Sequence, residues 1–275
     1  MTAYRGLLLD IDGVLTVSWR PLRGAAGAIA ELRAAGYRLR FVTNTTSRSR
    51  RVLSETLTSA GFDIATGEIL TAAAATGAYL RRAHPGARCF VLTSGDVTVD
   101  LEGVTITGPG EPADLVVIGG AGVEFGYDSL NHAFHLLQQG VPLVAMHRNL
   151  YWQTGDRHTL DSGAYILGLE KAAGAHAVVI GKPARAFYDA ALASLGLPAE
   201  SVAVVGDDID ADVKGAKDAG LAGILVRTGK FRQTDLDRSG VVPDVVLDSI
   251  ADLPAWLRAS LGAAVAVGPP GPEAE

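Results

Sequence analysis

The 275-residue sequence has little of several things, and each shortage excludes a class of protein. Cys89 is the only cysteine, so no disulfide can form within the chain, which fits a reducing compartment. The 24 Lys and Arg residues are outnumbered by 30 Asp and Glu, and this balance lacks the basic excess that attracts nucleic acid or anionic membranes. The apolar run of leucines at 7–9 is too short for a signal peptide or a membrane span. We therefore expect a cytoplasmic protein that binds neither nucleic acid nor membranes.

The sequence does contain a regular alternation of strand and helix patterns. Apolar or β-branched runs of about strand length occur at residues 6–10, 38–43, 201–207, 222–227 and 244–247. Helix-like stretches, of which 25–35 and 184–195 are the clearest, alternate with these runs. Buried parallel strands with helices on both faces form a doubly wound, Rossmann-like sheet. The predicted fold class is therefore α/β.

A second set of strand and helix patterns lies between residues 87 and 173 and could close a core of its own. Because strands of the first sheet lie on both sides of it, residues 83–176 are predicted to form a domain inserted into a core of residues 1–82 and 177–262. Residues 263–275 are rich in Pro, Gly and Ala without a polar-apolar period, and they are predicted to be a disordered tail.

Two acids end the first predicted strand, where the apolar run is followed by Asp10, Ile11, Asp12 and Gly13. The carboxyl ends of strands form the ligand crevice of an open α/β sheet, so acids at this position indicate function rather than packing. A solvated turn in which an aspartate caps a helix would have the same sequence, and the motif alone does not decide between the two.

Other segments bring polar groups to the same edge. Thr43 and Asn44 follow the second core strand and can donate hydrogen bonds to phosphate oxygens, although a simple turn explains them equally well. Lys182, between Gly181 and Pro183, can hold a phosphoryl group with its ammonium, although a lone lysine usually lies at the surface. The convergence of several such groups favours a functional site.

Four acids, Asp207, Asp208, Asp210 and Asp212, lie within six residues after another strand. Their repulsion next to Asp10 requires a cation, and oxygen ligands without a His or Cys cluster favour Mg²⁺. The alternative is that these acids cap the following helix, a description that suits Asp210. We predict that Asp207 is a metal ligand and that Asp212 supports the ligands without binding the metal itself.

Together these residues resemble the haloacid dehalogenase superfamily, whose four motifs occur here in the expected order: DIDGVL at Asp10, VTN at Thr43, GKP at Lys182 and GDDIDAD at Asp207. The resemblance covers nearly the whole chain except the tail. The insert between the second and third motifs is similar to the C2 type of cap in the NagD-like phosphatase subgroup. The resemblance thus implies a haloacid dehalogenase-like core with an inserted α/β C2-type cap.

The same resemblance implies roles for individual residues. Asp10 would be the nucleophile and Asp12 the general acid and base. Thr43, Asn44 and Lys182 would bind the phosphoryl group, and Lys182 would also balance the charge of Asp10.

It also implies a metal site. Mg²⁺ would be held by Asp10, the Asp12 main-chain carbonyl and Asp207, and either Asp208 or Asp212 would orient bound water. A carboxylate that attacks a phosphoryl group meets an anion, so a metal ion and an ammonium are physically required there. The expected activity is Mg²⁺-dependent hydrolysis of a phosphomonoester, phosphoramide or pyrophosphate of a small molecule through a phospho-aspartyl intermediate.

Substrate choice is expected to lie in the insert, because a mobile cap that closes over the sheet edge supplies the remaining contacts. Candidates in its loop-rich part are His147, Asn149, Asp161 and Ser162, although exposed loop residues without a role explain them as well. Similar proteins often dimerise through such caps, so the resemblance also implies a homodimer contact.

Other functions stay open as alternatives. A dehalogenase has no leaving oxygen for Asp12 to protonate, and a phosphomutase would normally carry a different cap. A phospho-accepting signalling module combines similar residues, but it is much shorter and its acceptor lies mid-chain. A noncatalytic phosphate-binding protein on the same core would not need intact Asp10, Asp12, Lys182 and Asp207.

Overall fold

The computed structural model describes residues 4–154 and 157–266. The strands are β1 Gly6–Asp10, β2 Thr16–Val17, β3 Arg20–Pro21, β4 Arg38–Thr43, β5 Ile69–Thr71, β6 Arg88–Leu92, β7 Thr105–Thr107, β8 Leu115–Ile118, β9 Leu143–Ala145, β10 Tyr151–Thr154, β11 Arg157–Leu160, β12 Ala177–Val179, β13 Val202–Gly206, β14 Ala222–Val226 and β15 Val245–Leu247. The helices are α1 Ala25–Ala34, α2 Arg50–Ser59, α3 Ala72–Ala83, α4 Tyr127–Gln138, α5 Ser162–Ala173, α6 Arg185–Leu195, α7 Gly215–Asp218, α8 Gln233–Ser239 and α9 Leu253–Ala266. None of the helices in these two ranges has the length and apolar character needed to span a bilayer.

Six parallel strands form the first sheet, in the order β15-β14-β13-β1-β4-β5. β1 is buried along its whole length, as expected for a strand that is covered on both faces. Leu7 and Leu9 join a hydrophobic cluster with α1, α2 and α9, whereas Leu8 points the other way into a cluster with α3, α6 and α7. The predicted doubly wound α/β fold is confirmed.

Five parallel strands form a second sheet, in the order β12-β9-β8-β6-β7. On one face Val116 packs with α4 and α5. On the other face Val117 and Val144 belong to the same cluster as Leu8 and α3. The two sheets therefore share one hydrophobic cluster between them.

The second sheet extends past the boundary that the sequence suggested. Residues 177–179 were expected in the core, but β12 pairs with β9, with Val178 opposite Val144. A three-residue apolar run does not reveal which sheet it joins, because its partner lies far away in the chain.

The last helix is also longer than expected. α9 continues to Ala266, four residues into the predicted tail. Ala263, Ala264 and Ala266 account for this, since alanine has the highest helix propensity. The rest of the predicted tail lies outside the described residues.

The strand order indicates which edge of the first sheet can bind a ligand. The chain runs outward from β1 through β4 to β5 on one side of the sheet, and from β13 through β14 to β15 on the other. The direction reverses between β1 and β13, which is where open α/β sheets bind ligands at the carboxyl ends of their strands. Asp10, Thr43, Asp207 and Lys230 all lie at or just after strand ends on this edge.

Acids from the inserted segment cap the N-terminus of α2. Asp96 accepts hydrogen bonds from the Ser49 amide at 2.8 Å and from the Ser49 hydroxyl at 2.7 Å. Asp100 accepts from the Arg50 amide at 2.8 Å and from Arg50 Nε at 3.0 Å. Carboxylates at this position satisfy free N–H groups and complement the positive end of the helix dipole. These hydrogen bonds connect the inserted segment to α2.

We expect Asp100→Ala to lower the free energy of unfolding by about 1–3 kcal/mol, because it leaves the Arg50 amide and guanidinium without their acceptor. Urea denaturation measures this loss. The matched control is Glu55→Ala, which removes an exposed carboxylate paired with Arg51 in the same helix and should leave the transition midpoint unchanged. Identical transitions for Asp100→Ala and the wild-type protein would contradict the capping role.

Candidate active site

Lys182 lies between two buried carboxylates. Its Nζ donates to Asp10 Oδ1 at 2.7 Å and to Asp212 Oδ1 at 2.6 Å, and the three side chains are between 1% and 8% exposed. Burial alone would lower the pKa of Lys182, but Asp10 and Asp212 raise that pKa well above its usual range. The lysine is therefore charged, and it offsets part of the negative charge around it.

Asp207 adds a third carboxylate to this centre. One oxygen from each of Asp10, Asp207 and Asp212 lies within 4.8 Å of the other two. Burial raises the pKa of Asp207 well above its usual range, and the charges of Asp10 and Asp212 raise it further. A further cation beside this cluster would favour the ionised form of its carboxylates.

Hydrogen bonds distinguish the three acids as possible metal ligands. Both oxygens of Asp212 are engaged, Oδ1 by Lys182 and Oδ2 by the Asp208 amide at 3.2 Å. Asp10 Oδ2 and Asp207 Oδ1 have no hydrogen-bond partner among the described residues. Free carboxylate oxygens are the ligands that Mg²⁺ prefers, so the donor set fits this ion with Asp10 and Asp207 as ligands. Asp212 instead positions Lys182.

Two glycines allow the chain to approach Asp207 closely. Gly13 and Gly229 have φ angles of 90° and 59°, in the region that favours glycine, and a Cβ at either position would collide with the Asp207 carboxylate. The Thr228 hydroxyl donates to the Gly13 carbonyl, and the Lys230 amide donates to Asp207 Oδ2 at 2.6 Å. The loops after β1 and β14 therefore close around Asp207.

Asp12 is half-buried beside this cluster, and the Thr45 hydroxyl donates to its Oδ2 at 3.3 Å. Burial raises the pKa of Asp12, and among the cations that oppose this rise Lys230 acts most strongly, ahead of Lys182 and Arg48. A carboxyl with a raised pKa holds its proton closer to neutral pH, which is the property that a general acid needs.

Thr43 and Asn44 end β4 as expected, but their side chains bond to other parts of the protein. The Thr43 hydroxyl donates to Thr45 Oγ1 at 3.0 Å, and Thr45 in turn donates to Asp12. Asn44 Oδ1 accepts from the Lys182 amide, and Asn44 Nδ2 donates to the Lys182 carbonyl, both at 2.9 Å. The Asn44 carboxamide thus positions the main chain of Lys182, which was not predicted. Its role in phosphate binding stays a prediction.

Asp208 acts as a helix cap. Its Oδ1 accepts hydrogen bonds from the Asp210 and Ala211 amides, both at 3.0 Å, where the helical turn Ile209–Lys214 begins. Two acids were expected to support the metal ligands. Asp212 reaches the acid cluster, whereas Asp208 caps the helical turn that carries Asp212.

Three of the candidate specificity residues are buried and make contacts within the protein. His147 Nε2 lies 3.0 Å from Thr46 Oγ1. Asp161 caps α5 by accepting from the Ser162 amide at 2.7 Å, and it also accepts from the Ala121 amide at 3.1 Å. Ser162 is fully buried. These positions make structural contacts, and their effect on specificity stays a prediction.

Asn149, the fourth candidate, lines a cleft of about 650 Å³ together with Tyr151, Lys182, Asp208 and Lys230. Lys230 was not predicted as a site residue. It follows β14 at the same sheet edge as the acids, so an examination of the residues after the predicted strand at 222–227 would have found it.

Comparisons with known proteins identify the family. A family model described as haloacid dehalogenase-like hydrolase matches residues 7–107, and a HAD-hydrolase-like model matches residues 179–253. Haloacid dehalogenase-like hydrolase domain-containing protein 2 of Homo sapiens is 36% identical over 247 residues, which cover 90% of this chain and 93% of that protein. The chain belongs to the haloacid dehalogenase-like hydrolase family.

This hydrolase is also 35% identical over 258 residues to the phospholysine phosphohistidine inorganic pyrophosphate phosphatase of Rattus norvegicus, covering 92% of this chain and 93% of that one. Among solved structures it is similar to the p-nitrophenyl phosphatase of Archaeoglobus fulgidus, with a TM-score of 0.85, 31% identity, and 92% and 99% of the two chains covered. NagD from E. coli K-12 has a TM-score of 0.83 and 29% identity, with 92% and 98% covered. The resemblance to NagD-like phosphatases is confirmed, and the protein is a phosphatase of this family.

Gly229→Ala is expected to lower kcat/KM for p-nitrophenyl phosphate by at least about tenfold, because the new Cβ displaces the Asp207 carboxylate. The matched control is Gly240→Ala, at a φ of 65° with open space around the new Cβ. Each variant bears a backbone strain of about 1–2 kcal/mol. Thermal unfolding should shift in both variants, and further in Gly229→Ala because of the collision. Turnover is therefore compared at a temperature at which both variants are folded, and equal turnover by the two would argue against the close packing at Asp207.

Proposed function

We propose that this phosphatase hydrolyses a phosphomonoester, phosphoramide or pyrophosphate of a small molecule through a phospho-aspartyl intermediate on Asp10, with Mg²⁺ as its cofactor. The observation that carries the proposal is the buried Lys182 ammonium bound to Asp10 and Asp212. Asp207 lies beside them with an oxygen free of protein partners among the described residues. The arrangement supplies a nucleophile, a fixed positive charge and a magnesium-compatible ligand set.

Asp10 is the proposed nucleophile. Its hydrogen bond to Lys182 fixes the orientation of the carboxylate. One carboxylate oxygen bonds to phosphorus while the bond from phosphorus to the leaving oxygen breaks, which gives an acyl phosphate. Lys182 offsets the negative charge that gathers around the phosphoryl group. Bound Mg²⁺, held by Asp10, Asp207 and the Asp12 carbonyl, would supply further charge neutralisation for the phosphoryl oxygens.

Asp12 is the proposed general acid and base. Its raised pKa favours the protonated carboxyl, which can give its proton to the leaving oxygen. The resulting carboxylate then accepts a proton from the water that attacks phosphorus in the second step. Thr45 holds Oδ2, which leaves Oδ1 for these transfers. The cycle restores the Asp10 carboxylate and releases inorganic phosphate.

A small phosphorylated substrate is supported by the names of two similar proteins. One is named for p-nitrophenyl phosphate, and the other for phospholysine, phosphohistidine and inorganic pyrophosphate. A cleft of about 650 Å³ is within the range of small-molecule sites. Asn149 is the best-placed candidate for substrate selection, because it lines this cleft while His147 and Asp161 are buried.

Asp10→Asn is expected to lower turnover of p-nitrophenyl phosphate by at least about 10³-fold, because a carboxamide is a poor nucleophile and does not pair with the charge of Lys182. The matched control is Asp218→Asn, which changes an exposed acid paired with Lys214 and should retain wild-type turnover. Circular dichroism establishes that both variants are folded. Wild-type turnover by Asp10→Asn would refute the nucleophile assignment.

Exhaustive chelation is expected to abolish turnover, and Mg²⁺ is expected to restore it, because the clustered acids need a cation. A titration of activity against Mg²⁺ also tests the ligand set. Asp207→Asn should raise the Mg²⁺ concentration for half-maximal activity by at least about tenfold. Full activity after chelation would contradict the metal requirement.

A further inference from the structure

The cleft contains two lysines whose ammonium groups are used differently. Lys182 Nζ is bound to Asp10 and Asp212, at 2.7 and 2.6 Å. Lys230 lines the same cleft with an exposed side chain, and no hydrogen bond or ion pair to another described residue engages its Nζ. The ammonium of Lys182 is therefore occupied by the acids, whereas the ammonium of Lys230 has three N–H groups that can donate to a ligand.

The main chain of Lys230 is held in place by the site itself. Its amide donates to Asp207 Oδ2 at 2.6 Å, and Gly229 packs against both Asp207 and Gly13. The Thr228 hydroxyl donates to the Gly13 carbonyl. These contacts fix the position of the residue at the edge of the acid cluster. Its four-carbon side chain stays free to bring the ammonium to an anion.

Lys230 shares the cleft with Lys182, which holds the phosphoryl group in the proposed reaction. Asn149 and Tyr151 line the same cleft. With the phosphoryl group at Lys182, the rest of the substrate occupies the remaining part of the cleft. The ammonium of Lys230 can therefore reach the leaving group.

We propose that Lys230 forms a subsite for an anionic group of the leaving group, so that the enzyme favours substrates with a second phosphate or a carboxylate next to the scissile bond. The inference rests on the proposed function, because it uses the same nucleophile and acid. An Asp10 oxygen bonds to phosphorus, and the bridging oxygen departs with the electron pair of the broken bond and takes a proton from Asp12. Lys230 stabilises the remaining negative charge of the departing anion.

A purely electrostatic role is the alternative. If Lys230 only offset the repulsion among the acids, its loss would reduce turnover of every phosphorylated substrate by the same factor. A leaving-group subsite instead makes the loss depend on the charge of the leaving group. The two roles therefore predict different ratios of kcat/KM between substrates, and a rate on one substrate does not distinguish them.

The experiment compares Lys230→Gln with the wild-type protein on pyrophosphate, 2-phosphoglycolate and p-nitrophenyl phosphate, all with saturating Mg²⁺. We expect kcat/KM for pyrophosphate to fall by about 10- to 100-fold, and that for p-nitrophenyl phosphate by about threefold or less. Lys230→Arg should keep most of the preference, because it retains the charge. The matched control is Lys171→Gln, an exposed lysine of α5 that should behave as wild type on all three substrates.

An equilibrium measurement separates binding from catalysis. Methylenediphosphonate, which cannot be hydrolysed, is used as an inhibitor of p-nitrophenyl phosphate turnover. Its inhibition constant should rise by about tenfold in Lys230→Gln, while that of inorganic phosphate should change much less. Equal changes for the two inhibitors would overturn the subsite.

The substrate series also identifies which anion is bound. A selective loss on both pyrophosphate and 2-phosphoglycolate supports a subsite for either anion, and a loss on one alone supports that anion. Equal losses on all three substrates, no loss, or a wild-type enzyme that hydrolyses only p-nitrophenyl phosphate would overturn the subsite. Wild-type turnover of p-nitrophenyl phosphate tests the proposed function separately.

Discussion

Repulsion among carboxylates at one sheet edge is the constraint on which the rest of the site depends. Asp10, Asp207 and Asp212 are buried with oxygens within 4.8 Å of one another, an arrangement that is unfavourable unless positive charge lies nearby. Lys182 provides part of that charge through hydrogen bonds to two of the three acids. What remains uncompensated is a negative centre that attracts a cation. The repulsion that would destabilise an ordinary core therefore favours the binding of a cation at this position.

Much of this arrangement could be predicted because the relevant signals are local. β1 and β13 are continuous apolar runs that end in acids, so Asp10 and Asp207 could be assigned to one edge of a parallel sheet. The partner of Asn44 could not be predicted, because its carboxamide recognises a main-chain segment 138 residues away. Lys230 gave only a weak local signal, its position shortly after β14, since an exposed lysine after a strand is common.

Both large sheets contribute to the site. The first sheet carries Asp10, Asp207 and Lys230 at or after the ends of its strands, whereas Lys182 follows β12 of the second sheet. The chain that follows β9 adds Asn149 and Tyr151 to the wall of the cleft. The shared hydrophobic cluster and the acids that cap α2 join the two sheets. The position of Lys182 relative to Asp10 and Asp207 therefore depends on the packing between the sheets.

The contact between Asn44 and Lys182 has a consequence for how this site can change in evolution. The Asn44 carboxamide recognises only the peptide groups of residue 182, and nothing of its side chain. The path of the loop and the charge that it presents are therefore specified by different atoms. A mutation that removed the ammonium would keep the Asn44 contact but leave Asp10 and Asp212 buried without their shared partner, so its cost would fall on the acids rather than on the path of the loop.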